Sequence, residues 1–180
     1  MKNITKLVAI SLMSMTSSAM AATGAYVAAD VGPASYGYGS SNPVSIRLGG
    51  GYNFMKLMND QLTIGAEANL ENFGSSSYLN TTVKTTGLMV AGVATYKIPG
   101  VDRLSAFGKV GMMHASTDYT APGISVTSTS NNPFIGIGAK YDINDQVAVR
   151  AQYEDFGNAV SVQGASSSLT ELSAGVIYSF

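Results

Sequence analysis

This sequence predicts an all-β fold, a closed antiparallel barrel of eight strands that cross a membrane, and three observations carry the prediction. The last nine residues place Leu172, Ala174, Val176, Tyr178 and Phe180 on one face of an extended strand. A lipid-crossing strand needs such a face, with its aromatic end at the membrane interface. Clusters of Gly, Ser, Asn and Pro cut the chain into strand-length pieces near 24–33, 43–54, 61–72, 84–97, 103–115, 132–142, 146–157 and 168–180. An even set of antiparallel strands leaves no free edge only when it closes, and lipid demands closure because unpaired backbone there costs several kcal/mol. Finally, 46% of residues are hydrophobic and only 12% charged, yet no stretch reaches the roughly 18 consecutive apolar residues of a spanning helix. An edge strand of a soluble sandwich is the alternative for the C-terminal segment taken alone.

Before the first strand, Lys2, Lys6, the apolar run Leu7 to Met13 and the small-residue pattern Ala19-Met20-Ala21 read as a secretory leader, residues 1–21. Its removal leaves 22–180 as one barrel domain.

The first strand carries Asp30. The second alternates Val44, Ile46, Leu48, Gly50, Tyr52 and Phe54 against Ser45, Arg47, Gly49, Gly51 and Asn53. The third alternates Leu62, Ile64, Ala66, Ala68 and Leu70 against Thr63, Gly65, Glu67, Asn69 and Glu71. The fourth is ambiguous, since Leu88, Val90 and Ala94 oppose the equally apolar Met89, Ala91 and Val93. The fifth and sixth bring Lys109 and Lys140. The seventh sets Val147, Val149, Ala151 and Tyr153 against Arg150, Gln152 and Glu154, and the eighth adds Glu171. Tyr52, Phe54, Tyr96, Tyr141, Tyr178 and Phe180 fall near strand ends beside short turns or the terminus, as one aromatic girdle. Connections near 55–60, 98–102 and 143–145 are short. Those near 34–42, 73–83, 116–131 and 158–167 are long, which puts short turns and both termini in the periplasm and long loops outside.

Composition also excludes. With no Cys and a single His there is no disulfide, no thiolate metal site and no His cluster, and no cofactor is expected. A net charge of −1 offers nucleic acid no basic footprint.

By parity, the inward charges are Asp30, Glu67, Glu71, Glu154 and Glu171 against Arg47, Lys109, Lys140 and Arg150. An eight-stranded barrel is only wide enough for side chains to fill it, and an unpaired buried charge is costly, so this near-balanced set is expected to pair. Asp30, Arg47, Glu67, Lys109 and Arg150 count to similar depth from the short turns. Two readings follow: a structural plug, or a narrow ion path that opens when pairs exchange.

On these residues the chain resembles the transmembrane domain of OmpA and the related small eight-stranded, porin-like outer-membrane barrels of Gram-negative bacteria. The stretch Gly138 to Glu154, GAKYDINDQVAVRAQYE, is similar to that domain's sixth strand, tight turn and seventh strand. The resemblance implies outer-membrane location, interior carboxylate–basic pairs at Glu67, Lys109 and Arg150, and recognition of Tyr178 and Phe180 by the barrel-assembly machinery. It further implies a monomer in contact with outer-membrane lipid and lipopolysaccharide, with a structural or surface role. Family members with a further peptidoglycan-binding domain tether the cell wall through it; this chain stops at Phe180, so that role is not carried over.

Some small barrels process lipid A, and the deacylase among them places a His-x-Ser-Asn element on its penultimate strand. The matching stretch here, Asp155-Phe156-Gly157-Asn158, lacks base and nucleophile, and no enzyme activity is expected. His114 and Ser116 share a face of the fifth strand as a conceivable activated Ser, or simply as an interfacial His beside a loop Ser. The glycine runs at 49–51 and 136–138 open no helix, and fit side-chain clearance better than phosphate binding. The long loops, rich in Tyr, Ser and Gly, either merely hydrate or bind an extracellular ligand in adhesion or recognition.

Overall fold

In the computed structural model, which describes residues 24–37, 42–78, 81–157, 160–162 and 165–180, the strand alternation read above becomes a barrel wall. The expected leader lies outside the described residues. The strands are β1 (Ala25–Tyr36), β2 (Val44–Leu57), β3 (Leu62–Tyr78), β4 (Thr81–Lys97), β5 (Leu104–Ala121), β6 (Ile124–Asp142), β7 (Val147–Asp155), the short pair β8 (Val160–Val162) and β9 (Ala165–Ser167), and β10 (Leu169–Ser179). All but β8 and β9 close into one antiparallel ring in the order β1-β10-β7-β6-β5-β4-β3-β2. β1 meets β10 through Tyr26↔Ser179 to Tyr36↔Leu169, which joins the two ends of the chain and removes the edge.

Period-two alternation decides which side chains face in. Ile46 and Leu48 are 58% and 56% exposed on the outer face, whereas Arg47 between them is fully buried. β4 follows the same rule although both its faces are apolar. Leu88 and Val90 point out, and Met89 and Ala91 point in toward an apolar part of the interior, while Val93 points in beside its register partner Lys109.

At one end the connections are tight. Asn144 Oδ1 accepts the backbone N–H groups of Gln146 (2.9 Å) and Val147 (2.8 Å), an Asx cap that turns β6 into β7. Between β2 and β3 the chain turns through Met58, Asn59 and Asp60, all three left-handed with φ of 55°, 55° and 65°. A bulge between Asn53 and Met55 leaves Phe54 without a register partner in β3 and shifts the phase, so that Phe54, Met55 and Leu57 all lie outside. Tyr52, Phe54, Tyr96, Tyr141 and Tyr178 are exposed near this end, and the Tyr178 and Phe180 rings meet edge to face at 5.3 Å.

At the other end the structure departs from the loop assignment. The segments 73–83 and 116–131, read from sequence as long loops, are largely ladder. β3 pairs β4 out to Tyr78↔Thr81, and β5 pairs β6 out to Ala121↔Ile124 around the Pro122-Gly123 turn. Thr, Val and Tyr fit a pleated surface, and their strand preference outweighs the turn signal of the interspersed Ser and Asn. The β6–β7 ladder begins only at Ile135↔Asp155 and the β2–β3 ladder at Ile46↔Asn72. β3 to β6 therefore rise beyond the rest of the wall as a four-stranded sheet.

Candidate functional site

Among the described residues, the charged side chains withdrawn from solvent lie in the barrel interior, which is built in layers. Nearest the short turns, Tyr26, Asn53, Phe107, Lys140 and Ile177 help line a cavity of about 50 Å³. Lys140 faces inward as its parity requires, but sits at the mouth, half-buried, paired with Asp142 at 2.9 Å.

One level deeper is a complete ionic layer. Arg150 grips Asp30 with two N–H donors, Nε to Oδ1 at 2.7 Å and Nη2 to Oδ2 at 2.6 Å, the planar fork geometry particular to arginine. Its remaining Nη1 donates to Glu67 Oε2 at 2.7 Å. Glu67 also accepts from Lys109 Nζ (2.6 Å), Asn69 Nδ2 (2.9 Å) and the Tyr26 hydroxyl (2.8 Å). Two carboxylates thus meet two cations.

Above it lies a second ionic layer around Arg47. Its Nε donates to Glu71 Oε2 at 2.9 Å and its Nη2 to Glu171 Oε2 at 2.6 Å, and Glu154 also contacts Nη2. The Ser45 hydroxyl reaches Glu171 Oε1 at 2.8 Å. Lys109 stands between the layers, 3.7 Å from Glu154.

Glycines make room for these side chains. A Cβ on Gly136 would fall 2.7 Å from Glu154 Cγ, and one on Gly175 would collide with the Asp30 carboxylate.

Toward the risen sheet the interior turns apolar. Phe73, Phe134 and Phe156 stack with centroids 5.2 and 5.3 Å apart and pack with Met89, Met113, Leu169 and Tyr36. Above this cap the Thr85 and Thr117 hydroxyls share a hydrogen bond of 3.2 Å.

All six residues singled out from sequence for the interior, Asp30, Arg47, Glu67, Lys109, Arg150 and Glu154, are buried inside the barrel. The five of them expected at similar depth, all but Glu154, do not form one level, however. Asp30 and Arg47 are direct register neighbours on β1 and β2, yet Asp30 turns to Arg150 and Arg47 crosses the lumen to Glu171 and Glu154. Arg47 is thus a member of the upper layer. The sequence reading missed the cap altogether. Its signal was present: Phe73 and Phe156 each follow an inward glutamate, Glu71 and Glu154, by two residues and so share its face.

His114 lies on the outer surface with Nδ1 2.7 Å from Asn131 Oδ1, so its neighbour across the ladder is an amide rather than an acid. Of the deacylase-like stretch, Asp155 caps the Gly157 N–H at 2.8 Å and Phe156 is in the cap; Asn158 lies outside the described residues. Among the described residues no group of three or more His, Cys, Asp or Glu is arranged to hold a metal ion.

Comparison with known proteins gives a consistent picture. The family model described as outer membrane protein beta-barrel domain matches residues 6–180. No curated protein matches the chain. Among solved structures, the fold is similar to Neisserial surface protein A, with 20% identity and a TM-score of 0.67 over 88% of this chain and 98% of that one. It is also similar to Ail, the attachment invasion locus protein of Yersinia pestis (16%, TM-score 0.59, 87% and 99%), and to the outer membrane enzyme PagL (16%, TM-score 0.55, 86% and 99%). At these identities the likeness speaks for the fold.

Proposed function

Because the chain belongs to the outer membrane protein beta-barrel domain family, we propose that this outer-membrane barrel is a non-enzymatic structural and surface protein with a closed lumen, whose risen sheet is its working face. The observation that carries this reading is the filled interior: two ionic layers and an aromatic cap in series. An ion crossing the barrel would have to break pairs at both ionic levels and then enter an apolar zone, where no side chain replaces its hydration shell.

With short turns on the periplasmic side, β3 to β6 stand on the extracellular side. Their outward residues there are small and polar, with Lys84 and Asp118 as the charges, and Thr127 donates to Asp118 at 2.7 Å. Such a surface suits adhesion or recognition through hydrogen bonds and shape rather than charge. Ail, named for attachment and invasion, shares the fold. Lipid and lipopolysaccharide surround the barrel wall, the assembly machinery recognises Tyr178 and Phe180, and the barrel works as a monomer.

PagL is an outer membrane enzyme of the same fold, but the matching stretch here offers neither His nor Ser, and His114 faces Asn131. Planar-bilayer recording of the refolded protein tests the reading. Electrical silence is expected, and discrete reproducible openings would replace it with a narrow channel. Cells expressing a barrel trimmed of Ser116 to Asn131 should bind host surfaces less than the parent; equal binding removes the adhesive role.

A further inference from the structure

The risen sheet has a flank that no described strand covers. β5 and β6 stay in one unbroken register from Leu104↔Tyr141 to Ala121↔Ile124, whereas β7 accompanies β6 only up to Ile135↔Asp155. Pro133, two residues further, has no N–H with which to continue that ladder. Gly157, which the register would set against Pro133, is left-handed with φ of 57° and accepts the Leu169 N–H at 3.0 Å instead, so the chain leaves β6 for β10.

Parity decides what this flank offers. At the foot of β6 the Asp142 N–H is donated to Arg103 on the β5 side, and the next residue, Ile143, donates to Val147 on the β7 side. Even-numbered residues of β6 therefore direct their backbone groups at β5, and odd-numbered ones turn theirs the other way. Ser125, Thr127, Thr129 and Asn131 thus hold a row of N–H and C=O groups along the flank. Among the described residues no backbone bond closes on that row, and β8 and β9 form a two-stranded sheet of their own. Natural sheets guard such edges with charge, bulges or proline. From Ile124 to Phe134 this edge has no charge and no bulge, and its proline stands only at the base. The opposite flank is unlike it: β3 offers only Ser75 to Tyr78, beyond a bulge, with Pro43 and Val44 standing against Gly74.

We propose that the β6 flank is a strand-addition site, where an extended, uncharged segment of a partner polypeptide outside the cell pairs as the next strand in place of β7. This pairing rests on the risen sheet being the outward working face, and names what that face takes. Only an extended chain repeats donor and acceptor at the spacing of the flank, and the flank has no charge to answer one on the incoming strand. The lumen-side face sets the pattern of that strand. Val83, Tyr119 and Val126 are successive register partners across β4, β5 and β6, and Val126 at the end of the row is 54% exposed. The residue that lands against Val126 is β-branched or aromatic, with polar neighbours facing out beside Ser125 and Thr127. A second copy in the same membrane does not fit, since strands tilted by about 35–45° cross when related by an axis normal to the bilayer.

Fluorescence anisotropy of a labelled octapeptide alternating Thr and Val, added to the refolded protein in detergent micelles, tests this. Saturable binding is expected. N-methylation of the threonines, whose N–H groups face β6 in this register, should weaken it at least about tenfold, and N-methylation of the valines, whose N–H groups face away, should leave it within about twofold. Thr129→Pro removes one edge donor without touching the β5 ladder and should weaken binding about fivefold. No saturable binding, or equal loss with both methylated peptides, overturns the proposal, even if Thr129→Pro does not refold. Loss of cell binding by the barrel trimmed of Ser116 to Asn131, with no peptide binding by the parent, removes strand addition alone; peptide binding with undiminished cell binding removes the adhesive role alone.

Discussion

The lower ionic layer and the aromatic cap both occupy the lumen, yet they close it by opposite physics. Each Glu67 carboxylate oxygen has two assigned donors at 2.6 to 2.9 Å, contributed by β1, β3, β5 and β7. Around Phe156 the contacts are directionless, and Phe73, Phe134, Met89 and Met113 simply fill volume. A layer of the first kind fails all at once when one partner is lost, because the rest are left charged and dry. A layer of the second kind fails by degrees, according to how well its neighbours relax into the space.

Removing Arg150 breaks the comparison hardest. Arg150→Ala strips Asp30 of both its donors and Glu67 of one of its four, and unfolding in urea from lipid should show a loss of about 4 kcal/mol, without a leak in planar bilayers, because the upper layer and the cap still close the lumen. Unchanged stability would mean that the layer holds nothing together, and a leak would make it the seal. Phe156→Ala should cost about 3 kcal/mol by the same assay, also without a leak, because the ionic layers still stand beneath it; a leak would make the cap the seal. Phe180→Ala touches neither layer. It should lower the amount of barrel in the outer membrane several-fold while leaving the refolded protein's stability within about 1 kcal/mol of the parent. Equal membrane yield would count against Phe180 as an assembly signal. Smallest of all, Met58→Gly relieves one of three successive left-handed residues in the β2–β3 turn and should stabilise the barrel by up to about 1 kcal/mol, read as a shift of the urea midpoint with no change in slope; no shift would mean that the turn carries no strain.

Much of the two ionic layers was legible because it is written in alternation. In β3 and β7 a charged or amide residue recurs at every second position between apolar ones, so parity alone sends Glu67, Arg150 and Glu154 inside. β4 was opaque for a physical reason: where the lumen is lined by Met89 and Ala91, inside and outside have the same polarity, and only the neighbours' register separates them. Pairing was less legible than burial. Register sets Asp30 beside Arg47 along the wall, but long side chains reach across the lumen, and the choice between a wall neighbour and an opposite partner depends on depth and donor geometry. The risen sheet was misread because Ser and Thr serve turns and strands alike, so Thr81 to Val83 and Ser125 to Ser130 look like loop until paired. The bulge at Phe54 left no mark in the composition at all.

The uneven rim, with β3 to β6 standing higher than their neighbours, also bears on how such a surface changes over time. On the proposed reading, in which these strands face outward from the cell, the surface they offer is hydrogen-bonded ladder, whose contour is fixed by backbone pairing between β4 and β5 and between β5 and β6. Outward side chains at Ser125, Thr127 and Thr129 are then free to be exchanged without altering that contour. The protein can change the texture it shows to the outside while keeping the relief beneath it.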